Sequence, residues 1–558
     1  MKNTLLSALA VALLLGTAAR ARCQDGAAND LKPFVVVSFA GYGELKRDIE
    51  YLGTASDNPD IAKSLESILM LMTQQQGLAG LDEERPWGAA AGFGDSGPVG
   101  WVFLPVTDLQ KLFGALGALI GEPQDAGNDV WQLEKDGRSA YVKQQGDWAF
   151  ISYAPEMLAT LPADPAALLG SLPKEYDVAV RLHIQNIPPP LRDMAIDGIK
   201  EQLEEKMRQS ASAGETRDQL MRMQIEAMTK AINDSDQFTL GFKIDPQGKR
   251  SCLDLGMTAL EGSDTARRMK TVDAVESNFA GFLLPGSLFS MHVNEATAEE
   301  NLDPELALLG NFRAHVMEEI DKDDDFDDEE QRASIKELVG ELLDVAEETL
   351  KKGRLNLGLA VVGAGPINVA LGGFVSDGQR LEQAVKKLAD MAPSEDGSPT
   401  IKLDVAEQDG VRFHTITFPL PDGQDSAQLQ PFLGDRIEIT LGFGAECVYA
   451  ALGPDGIGTI EQVMAKSSDS TPDSTSDSTP TPMHMRLALG QILGIAAKLS
   501  GNPLVGTAAQ MLEGGRDHVH LLQQPVANGV MYRLEIEEGI LKLIGNAAKM
   551  AMGGAGNL

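Results

Sequence analysis

Val106-Thr107-Asp108-Leu109-Gln110-Lys111-Leu112 and Val375-Ser376-Asp377-Gly378-Gln379-Arg380-Leu381 are one phrase written twice. Each follows a glycine-rich turn containing Gly-Pro, at Gly97-Pro98 and at Gly365-Pro366. Each precedes an Asp-Gly turn between two apolar runs, at Asp136-Gly137 and at Asp409-Gly410. Position 375 stands to 106 as 365 stands to 97 and, within a few residues, as 409 stands to 136. Three features in one order at a near-constant offset point to a duplicated architecture. In the first copy Thr107 is read as the cap of a helix, its hydroxyl accepting from orphan amides of the first turn, and Asp108 suits the positive end of the helix dipole. Ser376 opens the matching helix of the second copy.

Outward from this phrase the pattern is strand, helices, hairpin, helix. A β-rich run at 34–39 precedes a stretch at 61–74 with apolar residues at three- and four-residue steps. A second strand at 178–184 ends at Pro188-Pro189-Pro190, followed by helices at 191–209 and 216–232 and a hairpin at 238–260. The later part repeats the order with a strand at 288–293, helices at 304–320 and 333–352, a hairpin at 355–374 and a meander at 401–451. A final strand, helix, hairpin and helix close the chain. Long helices beside hairpins and meanders predict an α+β fold rather than alternating βαβ units. The expected organisation is two related halves, 24–283 and 284–558, each with antiparallel sheets packed against long helices. Ser467 to Pro482, rich in Ser, Thr, Asp and Pro, is expected to be a disordered loop.

Residues 1–23 read as a signal peptide: Lys2, an apolar stretch from Leu5 to Leu15, and a small-x-small site at Ala19-Arg20-Ala21 or Ala21-Arg22-Cys23. Bulky, charged Arg22 argues against lipid attachment at Cys23. The expected location is therefore the periplasm or the extracellular space, with no transmembrane segment in the mature chain. The net charge of −35 repels nucleic acid and anionic headgroups, so no nucleic-acid partner is expected. Cys252 and Cys447 are too few for a disulfide scaffold and read as buried free thiols.

Motifs that suggest chemistry mostly fail on context. Val361-Val362-Gly363-Ala364-Gly365-Pro366 begins like a dinucleotide fingerprint, but Asn368 replaces the third glycine and a strand-like run follows where a helix is required. Gly94-Asp95-Ser96-Gly97 resembles the nucleophile segment of trypsin-like serine proteases, yet no histidine precedes His183. Both read as hairpin turns. The acidic run from Asp321 to Glu330 could offer calcium the oxygens of Asp321, Asp323, Asp325 and Glu330, although Asp324 stands where the sharp turn needs glycine. A solvated helix–helix connection is the competing reading. His518 and His520 share one face of a strand, and His183, His292 and His484 lie in or beside opening strands, so strand pairing could gather them. Trp87, Trp101, Trp131 and Trp148 read as core or cross-strand aromatics.

The signal, the acidity and the duplication together resemble exported bacterial proteins of unknown function built from repeated α+β units. That resemblance supplies no catalytic residues. With no complete catalytic set, the expectation is a non-catalytic exported binding or scaffold protein for an unknown ligand or protein partner, without a resident cofactor. The alternatives are a hydrolase whose site is assembled from distant residues, and a calcium-stabilised envelope protein.

Overall fold

The computed structural model describes residues 32–554 apart from 95–96, 210–214, 271–276, 278, 297–301, 323–328, 364, 392–398, 420–429, 433, 435, 469–480 and 515. The fold is α+β with antiparallel strand pairing. Contacts divide the chain into two compact units, one running to Ala266 and including Glu535–Leu558, the other Arg267–Leu534. The signal peptide, most of the Ser/Thr-rich loop, and Asp323 and Asp325 lie outside the described residues. Within the expected loop, Ser467 and Ser468 belong instead to a helix, where the Ser467 hydroxyl donates to Val463 O.

The first unit opens with β1 (Pro33–Phe39), α1 (Tyr42–Ala55), α2 (Ile61–Met72), β2 (Trp87–Gly94), β3 (Gly97–Pro105) and α3 (Leu109–Ile120). A meander follows: β4 (Gln124–Asp125), β5 (Val130–Lys135), β6 (Arg138–Gln145) and β7 (Trp148–Ser152). Short helices α4 (Ala166–Leu169) and α5 (Leu172–Glu175) lead to β8 (Val178–His183), α6 (Pro189–Gln209), α7 (Glu215–Asp234), β9 (Ser235–Asp245), β10 (Arg250–Ala259) and α8 (Asp264–Met269). The strand order is β4-β5-β6-β7-β3-β2-β1-β8-β9-β10.

The later strands and helices are β11 (Phe289–Ala296), α9 (Asp303–Lys322), α10 (Glu329–Lys351), β12 (Arg354–Val362), β13 (Asn368–Phe374), α11 (Gly378–Met391), β14 (Thr400–Gln408), β15 (Val411–Pro419), β16 (Arg436–Phe443), β17 (Cys447–Leu452) and α12 (Gly456–Ser468). The chain closes with β18 (Met483–Ala488), α13 (Leu489–Ser500), α14 (Pro503–Leu512), β19 (His518–Val526), β20 (Gly529–Glu537) and α15 (Glu538–Gly554). Their order is β14-β15-β16-β17-β13-β12-β11-β18-β19-β20. Each strand of the first order has its counterpart ten places on.

Two of the three sequence markers sit at matching places in these orders. The Gly-Pro pairs belong to matching hairpins, Gly97-Pro98 opening β3 opposite the end of β2 and Gly365-Pro366 lying between β12 and β13, and the shared phrase opens α3 and α11. The Asp-Gly turns do not match: Asp136-Gly137 joins β5 to β6, whereas Asp409-Gly410 joins β14 to β15, one strand earlier. Both dipeptides adopt positive φ throughout (52° and 74°, 51° and 78°), which is the demand of a two-residue hairpin rather than a mark of common position. The caps also fall one residue later than expected. Asp108 accepts from Lys111 N at 3.0 Å and Asp377 from Arg380 N at 3.0 Å, so the carboxylate takes the role assigned to the hydroxyl before it.

Strand alternation explains the packing. In the first unit one sheet face carries Val36, Ala90, Phe103, Phe150 and Ala179, all buried under Leu169, Leu172 and Tyr176 from α4, α5 and the residue after it. Trp101 and Trp148 join this core, and Trp101 donates its indole N–H to Met157 O. On the opposite face α3 packs Leu109, Leu112 and Phe113 on Leu133, Val142 and Ala149 of the meander. In the second unit α12 supplies Ile460, Val463 and Met464, and a 3-10 turn at Ala280–Phe282 supplies Phe282, against Ala360, Ala370, Phe413 and Tyr449. Large rings rest where strands carry glycine. An added Cβ at Gly241 would stand 2.4 Å from Tyr176, and one at Gly358 2.2 Å from Phe282.

Gly241→Val should therefore destabilise the protein by about 1–3 kcal/mol or more, through overpacking. Urea unfolding should show it, and the companion Gly241→Val/Tyr176→Ala should recover part of the loss. Equal stability of the single variant and the parent would contradict this packing.

Candidate functional site

The most distinctive feature is the part of each sheet's second face that no core covers; in the first unit this is the stretch beyond the α3-covered meander. In the first unit three rows cross β2, β1, β8, β9 and β10: Ala91-Val35-Leu182-Phe238-Met257, Ala89-Val37-Val180-Leu240-Leu255 and Trp87-Phe39-Val178-Phe242-Leu253. Every side chain in them is apolar or aromatic, and none is buried. Leu240 is 47%, Leu253 41% and Leu255 54% exposed. Antiparallel register lines these residues up because directly opposed residues share a face.

The second unit repeats the feature. Val369-Val361-Phe289-Leu487-Val519 and Leu371-Leu359-Met291-Met485-Leu521 cross β13, β12, β11, β18 and β19. None of these side chains is buried either, and Leu371 is 48% exposed. A monomeric protein seldom leaves contiguous apolar area of this kind in water without use.

The covered face of the second sheet carries a string of polar groups. Pairing of β11 with β18 sets His292 directly opposite His484, and the diagonal neighbour His520 brings its Nδ1 to 3.1 Å from His484 Nε2. The sequence-level idea that strand pairing would gather histidines thus applies to His292, His484 and His520. His183 sits elsewhere, opposite Gln237 in the first unit. The Ser277 hydroxyl lies 2.6 Å from His292 Nε2 and 2.8 Å from Asn356 Oδ1. Asn356 Oδ1 can only accept, so the hydroxyl donates its hydrogen bond to it, and His292 Nε2–H donates to Ser277 Oγ. That is the reverse of an activated serine, in which the imidazole accepts. Burial alone lowers the His292 pKa to about 4, and burial followed by His520 and Arg486 lowers that of His484 to about 4. Both rings are neutral at pH 7.

A second cluster joins α11 to β15. Glu382 is 2% exposed, accepts from Arg412 Nη2 at 2.6 Å and pairs with Lys386 at 2.8 Å. His414, fully buried, accepts from Asp404 N at Nδ1, so its Nε2–H faces Glu382 at 3.3 Å. Burial is the main cause of its lowered pKa, which the Glu382 charge partly offsets. Glu382, Asp404 and His414 place three possible metal ligands together, but Arg412 and Lys386 already neutralise the carboxylates. The arrangement ties a helix to its sheet.

Of the expected calcium ligands, Asp321 ends α9 and pairs with Lys336 of α10, while Glu330 lies in the first turn of α10. Lys322 pairs with Glu318 and Glu319. The described part of the acidic run is thus two helix ends held by their own lysines. The glycine turn at Gly363–Pro366 joins two strands, so no helix N-terminus stands there to receive a phosphate. Asp95 and Ser96 lie outside the described residues. Cys252 and Cys447 are free thiols. Comparison with family models, with curated proteins and with solved structures found no match to this chain.

The neutral histidines make a pH prediction. A folded-state pKa of about 4 against an unfolded value near 6.5 means that the unfolded chain binds the proton first. The stability from a neutral His292 is complete above about pH 6.5 and is lost as pH falls towards 4, by roughly 3 kcal/mol. Urea midpoints should fall over that range and fall less steeply in His292→Gln. A pH profile unchanged by the substitution would contradict burial of the ring.

Proposed function

We propose that this is an exported, non-catalytic binding protein, duplicated in plan, whose open sheet faces take an apolar ligand. The observation that carries the reading is the three apolar rows across β2, β1, β8, β9 and β10, left partly open to solvent. Such rows offer hydrophobic contact and, apart from the Trp87 indole, no hydrogen-bonding side chain. Their natural complement is an aliphatic or aromatic molecule that excludes water from them. The second unit's matching rows support one binding plan used twice. The parallel strand orders and the repeated caps of α3 and α11 support duplication from a single blueprint.

The signal-like N-terminus supports export to the periplasm or beyond. No helix among the described residues is long and apolar enough to cross a membrane. The strong negative charge disfavours an anionic membrane surface as the occupant.

One observation favours a hydrolase instead, the 2.6 Å approach of Ser277 to His292. Its proton arrangement argues against that reading, as does the pKa of about 4 of the would-be base. A serine-reactive phosphonate separates the two readings: no adduct on Ser277 is expected, and a covalent adduct there would favour the hydrolase.

The binding proposal is tested by titrating the delipidated mature chain with a neutral, environment-sensitive apolar dye and with a fatty acid as competitor. Saturable binding is expected, weakened at least tenfold by Leu240→Glu with Leu255→Glu, since each placed charge must be desolvated, a loss of at least ~1.4 kcal/mol. No saturable binding, or binding indifferent to both substitutions, would overturn it.

A further inference from the structure

We propose that Glu44, Asp48 and Asp177 of the first unit form a binding site for a divalent cation of the calcium class. Helical spacing places Glu44 and Asp48 four residues apart on one side of α1, and Asp177 stands immediately before β8. One ligand oxygen from each residue lies within 4.8 Å of the others. Two oxygens bound to one calcium at about 2.4 Å can be at most ~4.8 Å apart, so the three carboxylates lie within the reach of one such ion, a hard cation that prefers oxygen ligands.

Asp48 carries the argument beyond a mere acidic cluster. It is 6% exposed, and its Oδ2 has no hydrogen-bond partner among the described residues. A buried carboxylate oxygen without a partner is costly unless a cation or a proton satisfies it. Its neighbours are already committed. Asp177, 1% exposed, accepts from Ile244 N at 2.6 Å and from Lys243 Nζ at 2.7 Å. Glu44 accepts from the same ammonium at 3.0 Å. Lys243 thus brings one positive charge to three carboxylates, and none of it is bonded to Asp48. Burial, and then the charge of Asp177, hold the Asp48 carboxyl up at about 6, with Lys243 only partly offsetting them. A divalent ion would balance the charge that one ammonium leaves over. The Lys243 side chain is 30% exposed, so its end can swing to solvent as the ion takes its place.

The site is independent of the acidic run at Asp321–Glu330, and one experiment tells them apart. Thermal melting of the full mature chain is followed in EGTA and in millimolar calcium. The wild-type melting temperature should rise by several degrees in calcium, and Asp48→Asn should abolish the rise. In EGTA, Asp48→Asn should melt at or above the wild type, because the amide removes an unpaired buried charge; this shows that the variant folds. Lys243→Met should bind calcium at least tenfold more tightly by calorimetry, since the competing ammonium is gone. A calcium shift that persists undiminished in Asp48→Asn, or the absence of any shift in both wild type and Lys243→Met, would overturn the proposal.

Discussion

In the first unit the Tyr176 ring lies where Gly241 has no side chain, and in the second Phe282 lies over Gly358 and Gly372. Rings seated directly on strand backbone bring covering segments close, so one face of each sheet becomes a dry core. In the first unit α3 covers the meander end of the other face, and the alternation of side chains leaves the rest of it to carry whatever the strands place there. On β1, β2, β8, β9 and β10 that is a run of valine, leucine, phenylalanine and methionine. The closed face accounts for stability and the open face for the binding proposed here, and both follow from one two-residue period.

The same closed faces explain the polar clusters. His292, His414 and Glu382 are buried because the segments that cover the strands reach over them, and each is matched locally: His292 by Ser277, His414 by the Asp404 amide, Glu382 by Arg412 and Lys386. Reactive residue types therefore occur without reactive arrangements. The Ser277 hydroxyl donates its hydrogen bond to an amide oxygen, and the carboxylate of the His414–Glu382 pair is held by two cations. Asp48 differs from Glu382, whose carboxylate faces Arg412 and Lys386: its Oδ2 has no hydrogen-bond partner among the described residues, and that suggests a missing ligand.

Much of this was legible in the sequence, and the parts that were not have identifiable reasons. Hairpins at Gly97-Pro98 and Gly363–Pro366 and the capped helices declared an α+β chain through turn chemistry and periodicity, which are local. The Asp-Gly turns misled because tight hairpins select that dipeptide wherever they occur. The caps shifted by one residue because Asp108 and Asp377 can reach the same amides from the following position. His292 and His484 were suspected of meeting, since both lie in opening strands. Ser277 and Asn356 were not anticipated, because register and the path of a connecting segment bring them there. The open rows are present as valine-rich strands, yet only the register shows that they align, and only the folded chain that none of their side chains is buried. Glu44 and Asp48 carried a readable four-residue spacing, but Asp177 joins them through tertiary packing alone.

The central claim is that the open apolar faces hold a ligand in the working protein. Native mass spectrometry of the chain purified without detergent from its native cells tests this most directly. The account predicts apolar molecules bound to the folded protein, released by organic extraction and depleted when Leu240 and Leu255 carry charge. A homogeneous ligand-free mass, with Leu240 and Leu255 protected by nothing but water, would contradict it.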